Sequence, residues 1–185
     1  MPTVFETRRL RVRMATAEDA PLIHELRTRP DVMRNVGYPC GLPVSLANVR
    51  ERIAGGGHAL DSLLVVETKD GMGIGQCLLR RPNEEGIATT DIKLLPAHWG
   101  RRYGVEVKQA LVDYLFTHTG CVAVEATPNV GNVASIRMQE AVGGVRVGEG
   151  VFEFPESQKD VTTPVHHYVY RVAREDWLQH GGLAR

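Results

Sequence analysis

A strand that leads through a short glycine-containing turn into an amphipathic helix constrains the fold of this chain more than any other feature. The segment from Leu94 to Val107 reads LLPAHWGRRYGVEV, and Gly120 follows as a stop. Beyond the turn, apolar residues recur at helical spacing, at Val107, Ala110, Leu111, Tyr114 and Leu115. The first N–H groups of such a helix lack partners within it and lie at the positive end of its dipole. The turn is therefore suited to bind a phosphate.

A second capped helix is predicted downstream, in the segment Asn129 to Gly144, which reads NVGNVASIRMQEAVGG. Asn132 is a good N-cap, and Gly143 can end the helix. The apolar stripe between them consists of Ala134, Met138, Ala141 and Val142. The sequence therefore places a short helix after a turn that is rich in Asn and Gly.

Together, these two segments resemble the acetyl-CoA-binding core of the GNAT superfamily of N-acyltransferases. They resemble in particular the branch that contains the ribosomal-protein N-terminal acetyltransferases. The first motif of that branch reads roughly W-G-x-G-Y-(A/G)-x-E-A, and the segment from Trp99 to Val107 matches it except at Arg102 and Val107. The second motif, N-x-A-S-I-R, is matched in full from Asn132 to Arg137. The resemblance covers nearly the full length of the chain.

The expected fold is a single α/β (α+β) domain over residues 1–185, with a mixed, mainly antiparallel sheet of six or seven strands flanked by helices. Strands are predicted near residues 10–13, 63–68, 73–80, 87–95, 122–127, 145–154 and 167–172. Helices are predicted near residues 17–28, 45–54, 101–117, 133–142 and 174–179. The resemblance adds that the sheet is splayed in the middle.

Composition is that of an ordinary globular protein, with 43% apolar and 24% charged residues. The 22 basic residues equal the 22 acidic ones, so the net charge predicts neither a nucleic-acid nor a membrane partner. The alternating arginines near the N-terminus, Arg9, Arg11 and Arg13, are interpreted as one solvated strand face. Without a signal peptide or an apolar run of ~18 residues, we expect a cytoplasmic protein. Its 3 cysteines contain no C-x-x-C pair, and we expect no metal.

The resemblance implies acetyl-CoA as the cofactor and names the residues that hold it. The main chain of Leu94 and Leu95 would pair with the pantetheine arm, Asn132 would contact the same arm, and Arg137 would reach a phosphate. Arg102 stands where the family usually has Gly. We expect a negative φ at Arg102, because an arginine adopts that conformation without strain. The pyrophosphate would lie on the turn formed by Trp99, Gly100, Arg101, Arg102, Tyr103, Gly104 and Val105.

The resemblance assigns fewer catalytic residues than cofactor-binding residues. Many members of the superfamily use a Tyr seven residues after the Asn of the second motif, but Gln139 occupies that position and cannot donate a proton in the same way. Ser135 is therefore the predicted proton donor to the leaving thiolate. The identity of the general base is undecided between Asp91 and Glu125. Thr89 and Thr127 stand where some relatives carry a carboxylate, so the resemblance itself assigns no base. Two further candidates are His98 and His166.

The predicted activity is transfer of acetyl from acetyl-CoA to a primary amine. The acceptor is an amine-bearing partner, either a protein N-terminus or a small molecule such as an amino sugar, and a homodimer is compatible with the resemblance. An alternative is a module that binds acyl-CoA without turnover. A nucleotide-binding protein would use the same kind of turn, but no G-K-(S/T) follows it here.

Overall fold

The computed structural model describes residues 3–180, in which one sheet of 8 strands runs through the domain in the order β1-β2-β3-β4-β5-β6-β8-β7. Neighbouring strands are antiparallel except β5 and β6, which run parallel. The strands are β1 (Thr3–Glu6), β2 (Leu10–Met14), β3 (Leu64–Thr68), β4 (Gly73–Leu79), β5 (Ile87–Leu94), β6 (Ala123–Ala126), β7 (Val145–Phe152) and β8 (Val165–Ala173).

Helices cover both faces of the sheet. On one face, α1 and α3 enclose a small apolar cluster with Ile23, Val49 and Leu78. On the other face, α4 packs its apolar stripe, including Leu111 and Leu115, onto the central strands. The helices are α1 (Ala20–Thr28), α2 (Pro30–Met33), α3 (Leu46–Ala54), α4 (Tyr103–His118), α5 (Val133–Ala141) and α6 (Arg174–Gln179).

The predicted α/β fold with a mainly antiparallel sheet is confirmed, but the strand count is 8 instead of six or seven. Strand β1 was missed because it has only 4 residues and lies at the sheet edge, paired with β2, so it shows little periodicity. The short helix α2 was also missed. The helix predicted from residue 17 begins with a 3-10 turn at Ala17–Asp19 before α1.

The alternating arginines lie on a strand face that is partly exposed, as predicted, but they are engaged in ion pairs and not simply solvated. Arg11 and Arg13 both bind the carboxylate of Glu67, at 3.0 and 2.8 Å, and Glu67 is buried on β3. Arg13 also donates two hydrogen bonds to Asp19, at 2.7 and 2.8 Å. These arginines therefore join β2 to β3 and to the segment that begins α1, and the alternation reflects a row of ion pairs.

Glu106 fixes the first turn of α4 to the loop between β1 and β2. Its carboxylate accepts hydrogen bonds from the Thr7 hydroxyl at 2.6 Å, the Arg9 main-chain N–H at 2.8 Å and Arg9 Nε at 2.6 Å. Burial alone would raise the pKa of Glu106, but these three hydrogen bonds and the charge of Arg9 lower it overall. The glycine-containing turn is thereby held against the rest of the sheet.

Replacing Glu106 by Gln should lower the free energy of unfolding by about 2 kcal/mol near pH 7, because the charge-assisted hydrogen bonds weaken and an amide N–H faces donors. The carboxylate contributes its stability above the unfolded pKa, and this contribution is lost as the pH falls through the lowered folded pKa. The difference between Glu106→Gln and the parent should therefore shrink below pH 4.5, the ordinary glutamate value. Urea unfolding at several pH values measures this difference in the free energy of unfolding. Glu84→Gln, at an exposed position, is the control. A pH-independent difference would contradict this account.

Candidate active site

The sheet opens between β5 and β6, and a cavity of about 1250 Å³ lies in the opening. The two strands pair only from Ile87–Thr89 to Ala123–Glu125, whereas β5 continues to Leu94. Residues of α2, of the turn before α4, of α4 itself and of α5 complete the lining. The splayed sheet implied by the resemblance is therefore present, and it leaves backbone groups of β5 facing the cavity.

The register of β5 decides which of its peptide groups face that cavity. Leu95 donates its N–H to the Ile74 carbonyl at 2.9 Å, and Leu94 lies opposite Gly75. Since peptide groups alternate in direction along an antiparallel strand, the N–H groups of Leu94 and Ile92 point away from β4 into the gap. The Leu94 carbonyl accepts a hydrogen bond from the Trp99 indole at 2.8 Å. Leu94 thus presents an N–H donor to the cavity, but the predicted pairing of Leu95 with a ligand is wrong.

The turn before α4 presents a second set of donors. The first helical bond is donated by Glu106 N–H to the Arg102 carbonyl at 3.2 Å, so the N–H groups of Tyr103, Gly104 and Val105 precede it. These residues line the cavity, as do Trp99 and Arg102. At Gly100, which has a φ of +72°, a Cβ would meet no atom within 4 Å. Open space beside a row of helix N-terminal donors fits a diphosphate group.

The expected negative φ at Arg102 is wrong. Arg102 has a φ of 61° and a ψ of 16°, which is the left-handed region, and α4 consequently begins at Tyr103 instead of Arg101. A non-glycine residue in this conformation costs roughly 1 kcal/mol or more. Arg102 therefore holds the turn before α4 under strain, and it is one of the residues that line the cavity. Arg101 lies outside the cavity lining, and its carbonyl accepts a hydrogen bond from Arg9 at 3.0 Å.

Replacing Arg102 by Gly should raise the free energy of unfolding by roughly 0.5–1 kcal/mol, because strain relief outweighs the added entropy of the unfolded chain. The same change should weaken acetyl-CoA binding a few-fold through the lost charge. Urea unfolding and calorimetric titration measure the two effects separately. Arg101→Gly is the matched control, with no gain in stability and no change in binding expected. A less stable Arg102→Gly protein would show that the residue is not strained.

Helix α5 brings the second motif to the cavity. Asn132 caps the helix as predicted, since its Oδ1 accepts the Ser135 N–H at 3.2 Å. Asn132, Ser135 and Arg137 all line the cavity, and the buried Gln139 lies one turn beyond Ser135. The roles assigned to these side chains stay predictions, but the structure places them beside the gap between β5 and β6.

The candidate bases are distributed unequally around the cavity. Asp91 lines it, and its carboxylate is ion-paired with the Lys93 ammonium group on the same strand. His98 also lines it, and within residues 3–180 its Nδ1 is buried without a hydrogen-bond partner. Glu125 lies outside the lining and accepts a hydrogen bond from Arg171 at 2.8 Å. His166 is exposed on β8, away from the cavity.

Lys108 lines the cavity, but the two sequence motifs do not indicate it. Lys108 on α4 is 1% exposed, lines the cavity and donates a hydrogen bond from its Nζ to the Thr90 hydroxyl at 2.6 Å. Burial lowers the pKa of Lys108 to about 7, and the charge of Asp91 opposes this shift. The sequence does contain a signal, because Lys108 precedes the buried Leu111 and Val112 by three and four residues. It therefore belongs to the buried face of the helix.

Three further findings concern residues 3–180. No group of three or more His, Cys, Asp or Glu side chains there could hold a metal ion. None of the helices in this part of the chain is long and apolar enough to cross a membrane. The cysteines at positions 40, 77 and 121 are free thiols.

Known proteins are similar to this chain in sequence and in fold. A family model described as an acetyltransferase (GNAT) domain matches residues 9–145. A protein of Bacillus licheniformis named uncharacterized N-acetyltransferase p20 is 27% identical over 154 residues, which is 80% of this chain and 85% of that protein. Spermidine N-acetyltransferase from Vibrio cholerae, solved with CoA and spermine, is 22% identical with a TM-score of 0.75, covering 93% of this chain and 99% of that one. The aminoglycoside acetyltransferase AAC(6')-Ib, solved with coenzyme A, is 17% identical with a TM-score of 0.69, covering 92% and 98%.

The fold is that of acetyltransferases solved in complex with coenzyme A. The family match covers most of the chain, and the chain belongs to the GNAT acetyltransferase family. The membership predicted from the two motifs is thereby confirmed, together with acetyl-CoA as the cofactor.

Proposed function

We propose that this protein transfers the acetyl group of acetyl-CoA to a primary amine on a small molecule or a protein N-terminus. One observation carries the proposal, namely that a single cavity unites three sets of groups. These are Leu94 on β5, the residues that carry the N-terminal donors of α4, and Ser135 on α5. Acyl transfer from a thioester to an amine needs a bound donor, a carbonyl-polarising N–H and a proton source for the departing sulfur.

Each set has a distinct task. The N–H groups of Tyr103, Gly104 and Val105 bind the diphosphate, and the Arg102 side chain adds charge beside them. Acetyl-CoA, when bound, supplies the activated acetyl group. The Leu94 N–H orients that group, since it points into the gap in the sheet. Ser135 Oγ holds the proton that the sulfur receives, and Asn132 fixes the helix turn on which Ser135 lies.

The acceptor would enter from the α2 side of the cavity, where the lining is polar and carries both signs of charge. Asp31, Arg34 and Asn35 lie there, and Asp31 is itself paired with Arg29 at 2.7 Å. The names of the two solved relatives refer to spermidine and to aminoglycosides. Polyamines and aminoglycosides are accordingly the first acceptors to test, and peptides with free N-termini are the second class.

A module that binds acyl-CoA without turnover is the alternative, and the state of the carboxylates favours it. Asp91 is engaged by Lys93, and Glu125 is engaged by Arg171 outside the cavity. Neither carboxylate is placed as an unpaired base. The alternative predicts cofactor binding with no acetylated product.

A two-part experiment separates these functions. Saturating acetyl-CoA should raise the melting temperature, because it binds the native state alone. Thiol release is then followed with a panel of polyamines, aminoglycosides and short peptides. Amine-dependent thiol release supports the transferase, whereas a thermal shift with no release across the panel supports the binding module. If the melting temperature does not change, both functions are excluded.

A further inference from the structure

Lys108 is a buried lysine at the fork where β5 and β6 separate, and the motifs assign it no role. It belongs to the second turn of α4, and its side chain contacts Thr90 on β5. Thr90 lies one residue beyond Thr89, the last residue of β5 that pairs with β6. It has no carboxylate within ion-pair distance among the described residues. A fully buried ammonium group with one neutral hydrogen-bond partner is unfavourable, so the neutral amine is favoured at this place.

The carboxylates on the strands beside Lys108 are ion-paired with other residues. On β5, Asp91 acts on it through its charge, and Lys93 pairs with Asp91. On β6, Glu125 is paired with Arg171. On β4, Cys77 is fully buried as a thiol, because burial raises its pKa. The rest of the cavity lining carries six more titratable side chains, namely those of Asp31, Arg34, His98, Arg102, Tyr103 and Arg137.

The other basic candidates are less suited to accept a proton at the same place. The Asp91 carboxylate holds the Lys93 ammonium, and Glu125 is not part of the cavity lining. Lys108 lies against the splayed part of β5, between the Leu94 end, where the N–H donor is directed, and the closed end at Thr89. An acceptor nitrogen that enters this gap therefore approaches Lys108 directly or across one water molecule.

We propose that Lys108 is the general base of this site, accepting a proton at Nζ from the ammonium group of the acceptor amine. This inference rests on the proposed function. The N–H bond of the acceptor breaks and an N–H bond forms at Lys108, which frees the nitrogen lone pair. The ammonium begins with three protons and the product amide keeps one. Of the other two, one passes through Lys108 to solvent and one reaches the leaving sulfur through Ser135.

A pKa measurement tests the base without using activity. In protein labelled with carbon-13 at lysine Cε, the Lys108 signal is identified by its absence from the Lys108→Met variant. We expect it to titrate with a midpoint near pH 7, in agreement with the lowered pKa. A midpoint at the ordinary lysine value of 10.5 would overturn the proposal.

The kinetic arm compares matched variants on the acceptor identified for the parent. Lys108→Met keeps the length of the side chain, and Lys108→Arg keeps a charge that cannot be removed. Both should bind acetyl-CoA like the parent and lose roughly 10²-fold in kcat/KM. In the parent, kcat/KM should rise as the pH passes through 7 and Lys108 loses its proton, and Lys108→Met should lack this limb. Lys159→Met, on an exposed surface segment, should behave like the parent.

The outcomes separate this proposal from the proposed function. Turnover of the parent tests the transferase, and the ratio of variant to parent tests Lys108. If Lys108→Met keeps both the parent's turnover and its pH profile, the proposal is wrong while the transferase stands. An acetyl group found on Lys108 by mass spectrometry after incubation with acetyl-CoA would also overturn it, because the residue would then be an acyl acceptor.

Discussion

Replacing Ser135 by Ala should lower turnover by roughly 10²-fold or more while leaving the dissociation constant of acetyl-CoA nearly unchanged. A proton donor acts mainly in the transition state, so its removal affects kcat more than ground-state binding. The helix should persist, because Ser135 contributes its main-chain N–H to the Asn132 cap and alanine keeps that N–H. Steady-state kinetics and calorimetric titration give the two constants.

Two controls make the Ser135 result specific. Ser135→Thr keeps a hydroxyl group and should retain more activity than the alanine variant. Ser157→Ala removes an exposed hydroxyl outside the cavity and should have no effect. If Ser135→Ala turns over like the parent, water or another side chain must protonate the sulfur.

Replacing Gly104 by Trp should abolish the thermal shift caused by acetyl-CoA. Gly104 lies in the first turn of α4, among the donors predicted to hold the diphosphate, and α5 packs close to it. A Cβ at Gly104 would already lie 3.2 Å from the Met138 sulfur. An indole there has no room beside α5 and would extend over the main-chain donors, excluding a ligand from them.

The Gly104 experiment needs smaller and displaced substitutions for comparison. Gly104→Ala meets only the flexible Met138 side chain and should keep most of the binding. Gly120→Trp inserts the same indole beyond the other end of α4, where a Cβ would contact nothing within 4 Å. Gly120→Trp should keep the full thermal shift. A folded Gly104→Trp protein that still binds acetyl-CoA would show that the turn is not the binding site.

Features set by local sequence were predicted well. The Asn132 cap, the Gly-containing turn and the helix that follows it depend on neighbouring residues, and the structure contains all three. The backbone at Arg102 was not predicted, because a positive φ is uncommon outside glycine and the side chain gives no sign of it. Whether Leu94 or Leu95 faces the gap depends on the β4–β5 register, which the sequence of β5 alone does not define.

Features that depend on long-range packing were not visible. Glu106 matches a motif position, but its partners Thr7 and Arg9 lie almost 100 residues earlier in the chain. Arg11 and Arg13 of β2 alternate as residues of a solvated face do, and only the pairing of β2 with β3 brings Glu67 beside them. Helical spacing places Lys108 on the buried stripe of α4. Its position at the fork depends on where β5 and β6 separate, which helical spacing does not show. These contacts are set by tertiary structure, which a periodicity argument does not contain.

We propose that acetyl transfer from acetyl-CoA to an amine takes place in the cavity between β5 and β6. The most direct measurement incubates the parent protein with isotope-labelled acetyl-CoA and the amine panel, and then identifies products by mass spectrometry. We expect a labelled N-acetyl amine that forms in an amount equal to the released CoA thiol, and we expect Gly104→Trp to be inactive. Tight acetyl-CoA binding with no labelled amine from any member of the panel would contradict it.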